Sequence, residues 1–298
     1  MDVQTLLTLF LAHHESAAHS HRTIEWYRYQ IQRFFDWLVE SKLQNSNWLQ
    51  PEVIELYLAS SRHAGNESAT VAGHYRALSA FFAWLVRRQY ITQSPIKQVA
   101  PPKIAKKEPK RAVMVEYLAL LDSIEGDSWI GLRDRLIIKT LFLCGVRRGE
   151  CARLKQEDYR LPEHLLFVDG KTGPRLVPLL PAVEQAFVAY IYARPPWPTS
   201  HLFLSATGGG KPRRLITGPG LYQMVRRRCE RAEVRPLNPH AFRHGLAMLM
   251  LNDRHADMSL VQRILGHSQI TTTSRHYAEW QTDSMLREFT DKMGGLDE

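Results

Sequence analysis

Residues 101–111 read Pro-Pro-Lys-Ile-Ala-Lys-Lys-Glu-Pro-Lys-Arg and divide the chain into two parts. Prolines at three of these eleven positions exclude the interior of a helix, because proline lacks an amide hydrogen and clashes with the preceding turn. Five of the eleven side chains are basic and one is acidic. We therefore predict a semi-extended basic linker over 101–111, between an N-terminal domain over 1–100 and a C-terminal domain over 112–298.

Length and composition agree with two folded domains. The chain has 298 residues, of which 44% are hydrophobic and 10% aromatic, and this content excludes a disordered protein. The formal net charge is +9, and nearly half of the excess lies in the linker. A basic two-domain protein commonly binds nucleic acid, although a mildly basic enzyme with a solvated surface would have the same charge.

The first hundred residues are predicted to form a small bundle of four helices. Apolar side chains recur there every three or four residues, which is the spacing of one face of a helix. Pro51 suits the first turn of the third helix. An aromatic stripe in these helices is expected to lie mostly in the core and consists of Trp26, Phe34, Trp37, Phe81 and Trp84.

The C-terminal part is predicted to be mostly helical with one β interruption. Residues 132–143 form a strongly apolar helix, and the segments 165–168 and 176–179 flank a glycine-containing turn as the strands of a hairpin. Further helices are expected near 181–193, 218–232, 240–252 and 258–265. The predicted fold class is therefore mainly α, with a helical bundle followed by a mixed α/β domain that contains a small antiparallel sheet.

Several function classes are disfavoured by what the sequence contains. Its apolar runs are too short to span a membrane, and its first residues do not resemble a signal peptide. The cysteines at positions 144, 151 and 229 are odd in number and lack CxxC spacing, so we expect reduced thiols in the cytoplasm. The glycine-rich segment 208–211 lacks the spacing of a phosphate-binding P-loop and is interpreted as an ordinary loop.

Three segments of the C-terminal part carry residues suited to phosphate chemistry. In 144–150 (Cys-Gly-Val-Arg-Arg-Gly-Glu), Arg147 opens a predicted helix, where a guanidinium and free amides together bind phosphate, and Glu150 can orient that arginine or cap the helix. In 239–244 (Pro-His-Ala-Phe-Arg-His), His240 and Arg243 share a helix face. The third segment, 265–277, contains Gly-His, a threonine-rich turn and a tyrosine.

A zinc site is the alternative interpretation of the second segment. His240 and His244 are one helical turn apart, as zinc ligands often are. The glutamate of the HExxH motif is missing, however, and the positive charge of Arg243 beside the two rings would repel a dication. We therefore predict no metal site here.

In their order along the chain, these segments resemble the motifs of the tyrosine recombinases, the family of phage integrases and Xer-type resolvases. Residues 144–150 resemble its Thr-Gly-(Leu/Met)-Arg-x-x-Glu box, and 170–173 resemble its hairpin turn with a lysine. Residues 239–244 resemble its Pro-His-x-Leu-Arg-His motif, and 265–267 match its Leu-Gly-His. The N-terminal part is similar to the family's SAM-like core-binding domain.

The resemblance implies a site-specific recombinase that cleaves and rejoins DNA through a 3′-phosphotyrosyl intermediate, without a metal or ATP. The implied catalytic residues are Arg147, Lys171, His240, Arg243, His267 and Tyr277, with Glu150 in support. Two alternatives stay open: a non-catalytic DNA-binding protein with this fold, and a nicking-closing enzyme such as a type IB topoisomerase or telomere resolvase.

The position of the nucleophile departs from the family pattern. Ten residues separate His267 from Tyr277, where the family usually has nine, so that His276 occupies the usual position of the tyrosine. We favour Tyr277 because the following Ala278 matches many family members, and an irregular loop can absorb one extra residue.

The implied partner is a double-stranded DNA recombination site, bound by a homo-tetramer on two duplexes; no membrane partner is expected, and accessory proteins are not specified. The segment 280–298 would dock on a neighbouring subunit or on its own core. The expected location is the cytoplasm, in association with the nucleoid. Linker side chains expected to contact DNA are Lys103, Lys106, Lys107, Lys110 and Arg111.

Overall fold

A computed structural model describes residues 2–43, 48–104, 111–170, 173–254, 256–266 and 289–294. The chain separates into two compact units, Met1–Lys107 and Glu108–Glu298. Both small sheets are antiparallel and the remaining elements are mostly helices, so the predicted mainly α class is confirmed. None of the helices in the described ranges is both long enough and apolar enough to cross a membrane.

The first unit is a bundle of four helices. The Asp2 carboxylate accepts hydrogen bonds from the amides of Gln4 and Thr5, and the Ser20 hydroxyl accepts one from Thr23, so both side chains cap helices. Helices α1 to α4 are Val3–Ser16, His21–Glu40, Pro51–His63 and Ser68–Arg87, and a short 3-10 turn follows at Pro95–Gln98.

The predicted aromatic stripe contributes to the core of this first unit. Phe34, Phe81 and Trp84 are buried, and Trp26 and Trp37 are half-buried against the same core. The rings contact one another largely edge-to-face or in stacked pairs, which are the favoured arrangements of aromatic side chains.

The second unit contains seven α-helices with both ends in its described residues, and residues 289–293 are helical as well. One correction concerns the predicted helix 240–252: its α-helical part ends at Met248, and a π-helical turn over Leu249–Asp253 follows. In that turn the Arg254 amide donates to the carbonyl of Leu249, five residues earlier. Helices α5 to α11 are Met114–Asp122, Trp129–Leu143, Arg148–Arg153, Pro181–Ala193, Gly218–Arg231, Pro239–Met248 and Met258–Leu265.

The second unit also contains two small sheets. The predicted hairpin is present as β2 and β3, with Gly170 paired to Gly173 beside the turn, and β1 adds a third strand. A second hairpin of β4 and β5 was not predicted, because its strands are too short to show an alternating pattern. Strands β1 to β5 are Tyr159–Arg160, Leu165–Gly170, Gly173–Pro178, Leu204–Ala206 and Pro212–Leu215.

Two glycines allow three helices of the second unit to meet closely. Gly145, directly after α6, has a φ of +59°, and a Cβ there would lie 2.6 Å from the Leu265 side chain and 2.8 Å from Leu246. A Cβ on Gly245 would lie only 2.2 Å from the carbonyl oxygen of Ala112. Only glycine fits these positions, and they bring the ends of α6 and α11 against α10.

Candidate active site

The site begins at the start of α7, where Glu150 holds Arg147 by two contacts. The backbone amide of Arg147 donates to Glu150 Oε2 at 2.8 Å, and Arg147 Nη1 donates to Oε1 at 2.7 Å. Arg147 is the residue immediately before the helix, and Glu150 lies in the first turn of that helix. This local arrangement agrees with the role predicted for Glu150 from its spacing.

A third side chain, Arg175 of β3, completes the environment of Glu150. Its Nη2 donates to Glu150 Oε2 at 2.7 Å and its Nη1 to Oε1 at 3.2 Å. Burial alone would raise the pKa of the Glu150 carboxyl, but the hydrogen bonds from Arg175 and Arg147 outweigh it and lower the pKa to about 2. The carboxylate is therefore charged and fixed at every physiological pH.

The end of α11 holds three arginines through three successive carbonyl groups. In residues 264–266, the carbonyls accept in chain order from Arg175 Nε at 3.0 Å, from Arg243 Nη2, and from Arg147 Nη2 at 2.9 Å. The last carbonyls of a helix lack partners within it and carry the negative end of its dipole. One helix end thus aligns Arg147, Arg175 and Arg243, which we call the arginine cluster.

Arg243 is the most deeply buried member of the cluster, with 3% of the residue exposed. Its Nη1 donates to the Gly145 carbonyl at 2.6 Å, so α10 is tied to the turn after α6 as well as to α11. Burial, and then the neighbouring charges of Arg147 and Arg175, lower the pKa of Arg243 to about 10. The group still carries its positive charge at neutral pH.

An open pocket of about 440 Å³ lies beside the cluster. It is formed where the first turns of α7 and α10 meet one side chain of α9, and its lining residues are Arg147, Arg148, Gly149, Tyr222, Asn238, Pro239 and His240. The Asn238 side chain caps α10 by accepting from the amides of His240 and Ala241 at 2.9 and 3.0 Å. The two cationic side chains, those of Arg147 and Arg148, make this pocket suitable for an anion.

His240 places an imidazole at the pocket. Partial burial lowers its pKa below the ordinary value, and the charges of His244, Arg243 and Arg147 lower it further. The ring is therefore predominantly neutral at pH 7 and able to accept a proton. The His244 ring lies 5.2 Å away between centroids. No zinc-type arrangement with a third ligand is present around this pair in the described ranges.

Four of the seven residues predicted for the site are brought together: Arg147, Glu150, His240 and Arg243. The other three, Lys171, His267 and Tyr277, lie outside the described residues, as does His276. The glycines directly before Lys171 and His267 are described, and both lie at the arginine cluster, as the following distances show.

Gly170 and Gly266 each lie against the Glu150–Arg175 pair. A Cβ on Gly170 would be 2.7 Å from Glu150 Oε1, and a Cβ on Gly266 would be 2.9 Å from Arg175 Cδ. Both chain segments therefore approach the site as bare backbone. Arg175 and Tyr222 lie at the site but were not predicted from the sequence. The only available signal for Arg175 was its position in the strand that follows the hairpin turn.

The remaining predicted positions are those of the linker and of the segment 280–298. Lys103 and Arg111 are exposed, and the Arg111 carbonyl accepts a hydrogen bond from Arg235, whereas Lys106, Lys107 and Lys110 lie outside the described residues. Of the segment 280–298, the described part is 289–294, where Phe289 and Met293 are buried in the core of their own unit.

Comparison with known protein families identifies the class of this protein. The phage integrase family model matches residues 114–283, and the model of the phage integrase N-terminal SAM-like domain matches residues 7–89. The chain belongs to the phage integrase family. It is a tyrosine recombinase, an enzyme that transfers DNA strands in site-specific recombination.

Characterised relatives and solved structures agree with this family. The chain is 28% identical to the tyrosine recombinase XerD of Staphylococcus epidermidis over 279 residues, which cover 91% of this chain and 92% of the relative, and has the same identity and coverage with XerD of Staphylococcus aureus. The fold is similar to a lambda integrase dimer bound to a COC′ core site, with 18% identity, a TM-score of 0.69 and coverage of 92% and 98%.

Two further structures have a similar fold. The Tn1549 transposon integrase in complex with transposon right end DNA has 20% identity, a TM-score of 0.69 and coverage of 94% of this chain and 98% of that chain. The XerH recombinase bound to its difH substrate has 25% identity, a TM-score of 0.63 and coverage of 88% and 78%.

Proposed function

We propose that this recombinase cleaves double-stranded DNA with Tyr277 at the pocket beside the arginine cluster. The phenolic oxygen of Tyr277 attacks the phosphorus of one phosphodiester, the bond to the 5′-oxygen breaks, and a 3′-phosphotyrosyl bond remains. The observation that carries the proposal is the alignment of Arg147 and Arg243 on adjacent carbonyls of one helix end, next to an open pocket that Arg148 and His240 also line.

The arginines supply the electrostatic part of the reaction. Each guanidinium has five N–H groups, and the contacts described above engage two on Arg147 and two on Arg243. Their charges would offset the negative charge that grows on the phosphoryl oxygens in the transition state. His267 would add one hydrogen bond to the same oxygens, as the family resemblance implies.

Two proton transfers complete the step. A phenol has a pKa near 10, so Tyr277 needs a base, and the predominantly neutral His240 at the pocket is suited to accept its proton. Lys171 would give a proton to the leaving 5′-oxygen. Rejoining reverses these steps: the 5′-hydroxyl of another strand attacks the phosphorus, and Tyr277 leaves. The cycle needs no ATP, because the phosphotyrosyl bond retains the energy of the phosphodiester bond that was cut.

The DNA partner and the assembly follow from the same proposal. The structural relatives described above are bound to a core site, a transposon end and a difH substrate, so we propose a double-stranded recombination site as the partner of this chain. Strand exchange in pairs through a Holliday junction would require a homo-tetramer on two duplexes. Such an enzyme would work on DNA in the cytoplasm, in association with the nucleoid, with Lys103, Lys106, Lys107, Lys110 and Arg111 contacting phosphates.

A covalent adduct tests the proposed function. A recombination site is first obtained by selecting duplexes that the purified protein binds and is then built into a nicked suicide duplex. We expect an SDS-stable protein–DNA adduct in buffer with EDTA, mapped by mass spectrometry to Tyr277 and absent in Tyr277→Phe. His276→Asn, the matched variant at the neighbouring position, should still form it.

Three results would contradict this assignment. Failure of wild-type protein to form an adduct on a bound site would favour a non-catalytic DNA-binding protein. An adduct on His276 would move the nucleophile by one residue. Loss of the adduct in EDTA, with DNA binding unchanged, would contradict a mechanism that relies on guanidinium groups instead of a metal.

A further inference from the structure

The second unit contains another strongly basic cavity that the proposed reaction does not use. This cleft, of about 500 Å³, lies between α9, the β4–β5 hairpin and the start of α6. It shares no lining residue with the pocket at Arg147 and His240. Six arginines and one carboxylate line it, namely Arg133, Arg213, Arg214, Arg227, Arg228, Arg231 and Asp134.

Two of the six arginines are occupied by structural contacts at the floor of the cleft. Arg133 donates through Nε and Nη2 to Asp134 Oδ1 at 2.9 and 2.6 Å, and Arg228 Nε donates to Asp134 Oδ2 at 2.9 Å. Arg133 Nη1 also donates to the Leu204 carbonyl at 2.6 Å. All three charged side chains are buried, and the Asp134 carboxylate is fully engaged.

The other four arginines form the rim, which we call the arginine rim. Arg213 and Arg214 come from β5, and Arg227 and Arg231 come from the exposed face of α9. Within the part of the chain that the structure describes, none of these four guanidinium groups has an ion pair or a hydrogen bond. Arg227 and Arg231 are one helical turn apart, so their Cα atoms lie about 6 Å apart along the axis and their side chains share one face of α9.

The lining of the cleft indicates which part of a nucleic acid it suits. No aromatic side chain lines it in the described residues, so it offers no surface on which a base could stack. The glycine at position 208 is a lining residue with open space where a Cβ would be, which leaves backbone that a ligand can approach. Clustered arginines without stacking groups recognise phosphates independently of sequence.

We propose that the arginine rim is a second phosphate-binding site, which contacts phosphates of the DNA backbone other than the one that is cut. This inference rests on the proposed function for the identity of the ligand as DNA. The site would contribute affinity and not chemistry, because its residues are separate from those of the cleavage pocket. Occupation by a free polyphosphate is the competing outcome, since the same guanidinium groups would bind it.

The test compares two charge-matched double variants of the full chain. Arg227→Gln/Arg231→Gln removes two rim charges, and Arg160→Gln/Arg254→Gln removes two charges of the same unit outside the cleft. Binding of a fluorescent 60-base-pair duplex is measured by anisotropy across a KCl series. Each phosphate contact contributes about 0.9 to the slope of log K against log salt, so the rim variant should lose up to about 2 in slope and roughly tenfold or more in affinity.

Controls separate this proposal from folding and from the cleavage reaction. Thermal unfolding should be unchanged in the rim variant because both side chains are exposed, and Arg227→Lys/Arg231→Lys should retain most of the salt slope. Adduct formation at saturating DNA should match wild type. If no protein forms an adduct, the proposed function fails, while the salt slopes still decide whether the rim binds DNA.

Two outcomes would overturn the proposal. One is a rim variant with the slope and affinity of wild type, or with no greater loss than the Arg160→Gln/Arg254→Gln control. The other is stoichiometric binding of inorganic tripolyphosphate that depends on Arg227 and Arg231 but leaves the DNA salt slope unaffected, which would assign the cleft to a free polyphosphate.

Discussion

The second unit places arginines in two regions with opposite properties. In the arginine cluster, Arg147, Arg175 and Arg243 are each held by a carbonyl at the end of α11, and two of them share a buried carboxylate. In the arginine rim, four guanidinium groups are exposed and lack such contacts within the described residues. A fixed charge suits a transition state of one geometry, whereas a mobile charge suits a long and variable backbone.

The two regions differ in hydrogen bonding and not in residue type, and under the two proposals this difference would separate catalysis from binding. A guanidinium held in advance loses little entropy when it meets a phosphate, since its side chain is already ordered. A free side chain must be ordered at each contact, and it gains affinity mainly by releasing counterions. Variants in the two regions should therefore change different observables.

The largest effect is expected for Arg147→Gln. We expect adduct formation at saturating DNA to slow by about 10³-fold, because one donor to the transition-state oxygens is lost, while the salt slope of DNA binding changes little. Single-turnover cleavage of the suicide duplex measures the rate. Arg148→Gln is the matched control, since Arg148 lines the same pocket without a contact to Glu150. Equal losses in both variants would contradict a special role of the cluster.

Arg175→Met should have the next largest effect, although Arg175 does not line the pocket. The substitution would leave Glu150 paired only with the guanidinium of Arg147, and the Ile264 carbonyl would lose its hydrogen bond to Arg175. We expect Arg147 to shift as a result, and a shift of about 1 Å is enough to slow cleavage by about 10²-fold. The DNA dissociation constant should stay near that of wild type, so the loss lies in the cleavage rate.

The conservative variant Arg175→Lys and a stability measurement define this positioning role. Lysine cannot reproduce the bidentate pairing, so we expect partial recovery of the rate only. In wild type, the lowered pKa of Glu150 stabilises the folded state by about 3 kcal/mol at pH values above the pKa that this carboxyl has in the unfolded chain. This stabilisation is lost as the pH falls towards 2. Thermal unfolding between pH 7 and pH 3 should show a weaker acid destabilisation in Arg175→Met. Identical pH slopes would show that Arg175 does not set the charge state of Glu150.

The pH dependence of cleavage is expected to follow His240. Since its pKa is lowered, the ring is a competent base at pH 7, and cleavage should fall about tenfold per pH unit only below that pKa, which lies under the ordinary 6.5. His240→Gln should slow cleavage and abolish this acidic limb, whereas His244→Gln, one turn further along α10, should preserve it. Persistence of the limb in His240→Gln would assign the proton to another group.

Several features of the fold were predictable because they depend on local patterns. Helical spacing, for example, indicated the four-helix bundle of the first unit. The β4–β5 hairpin was missed because strands of three and four residues carry too little alternation. The π-turn after Met248 was missed because it depends on a single displaced hydrogen bond.

By itself, the sequence determined the family and predicted Arg147, Glu150, His240 and Arg243 as site residues, because both inferences depend on residue types at short spacings. Only the tertiary structure decided that Arg175 shares the carboxylate of Glu150 and that the end of α11 aligns three arginines. Within the described residues, it also decided that Arg213, Arg214, Arg227 and Arg231 line a second cleft without an ion pair or a hydrogen bond of their guanidinium groups. The reason is that hydrogen bonds between residues 22 to 119 positions apart leave no periodic trace in the sequence.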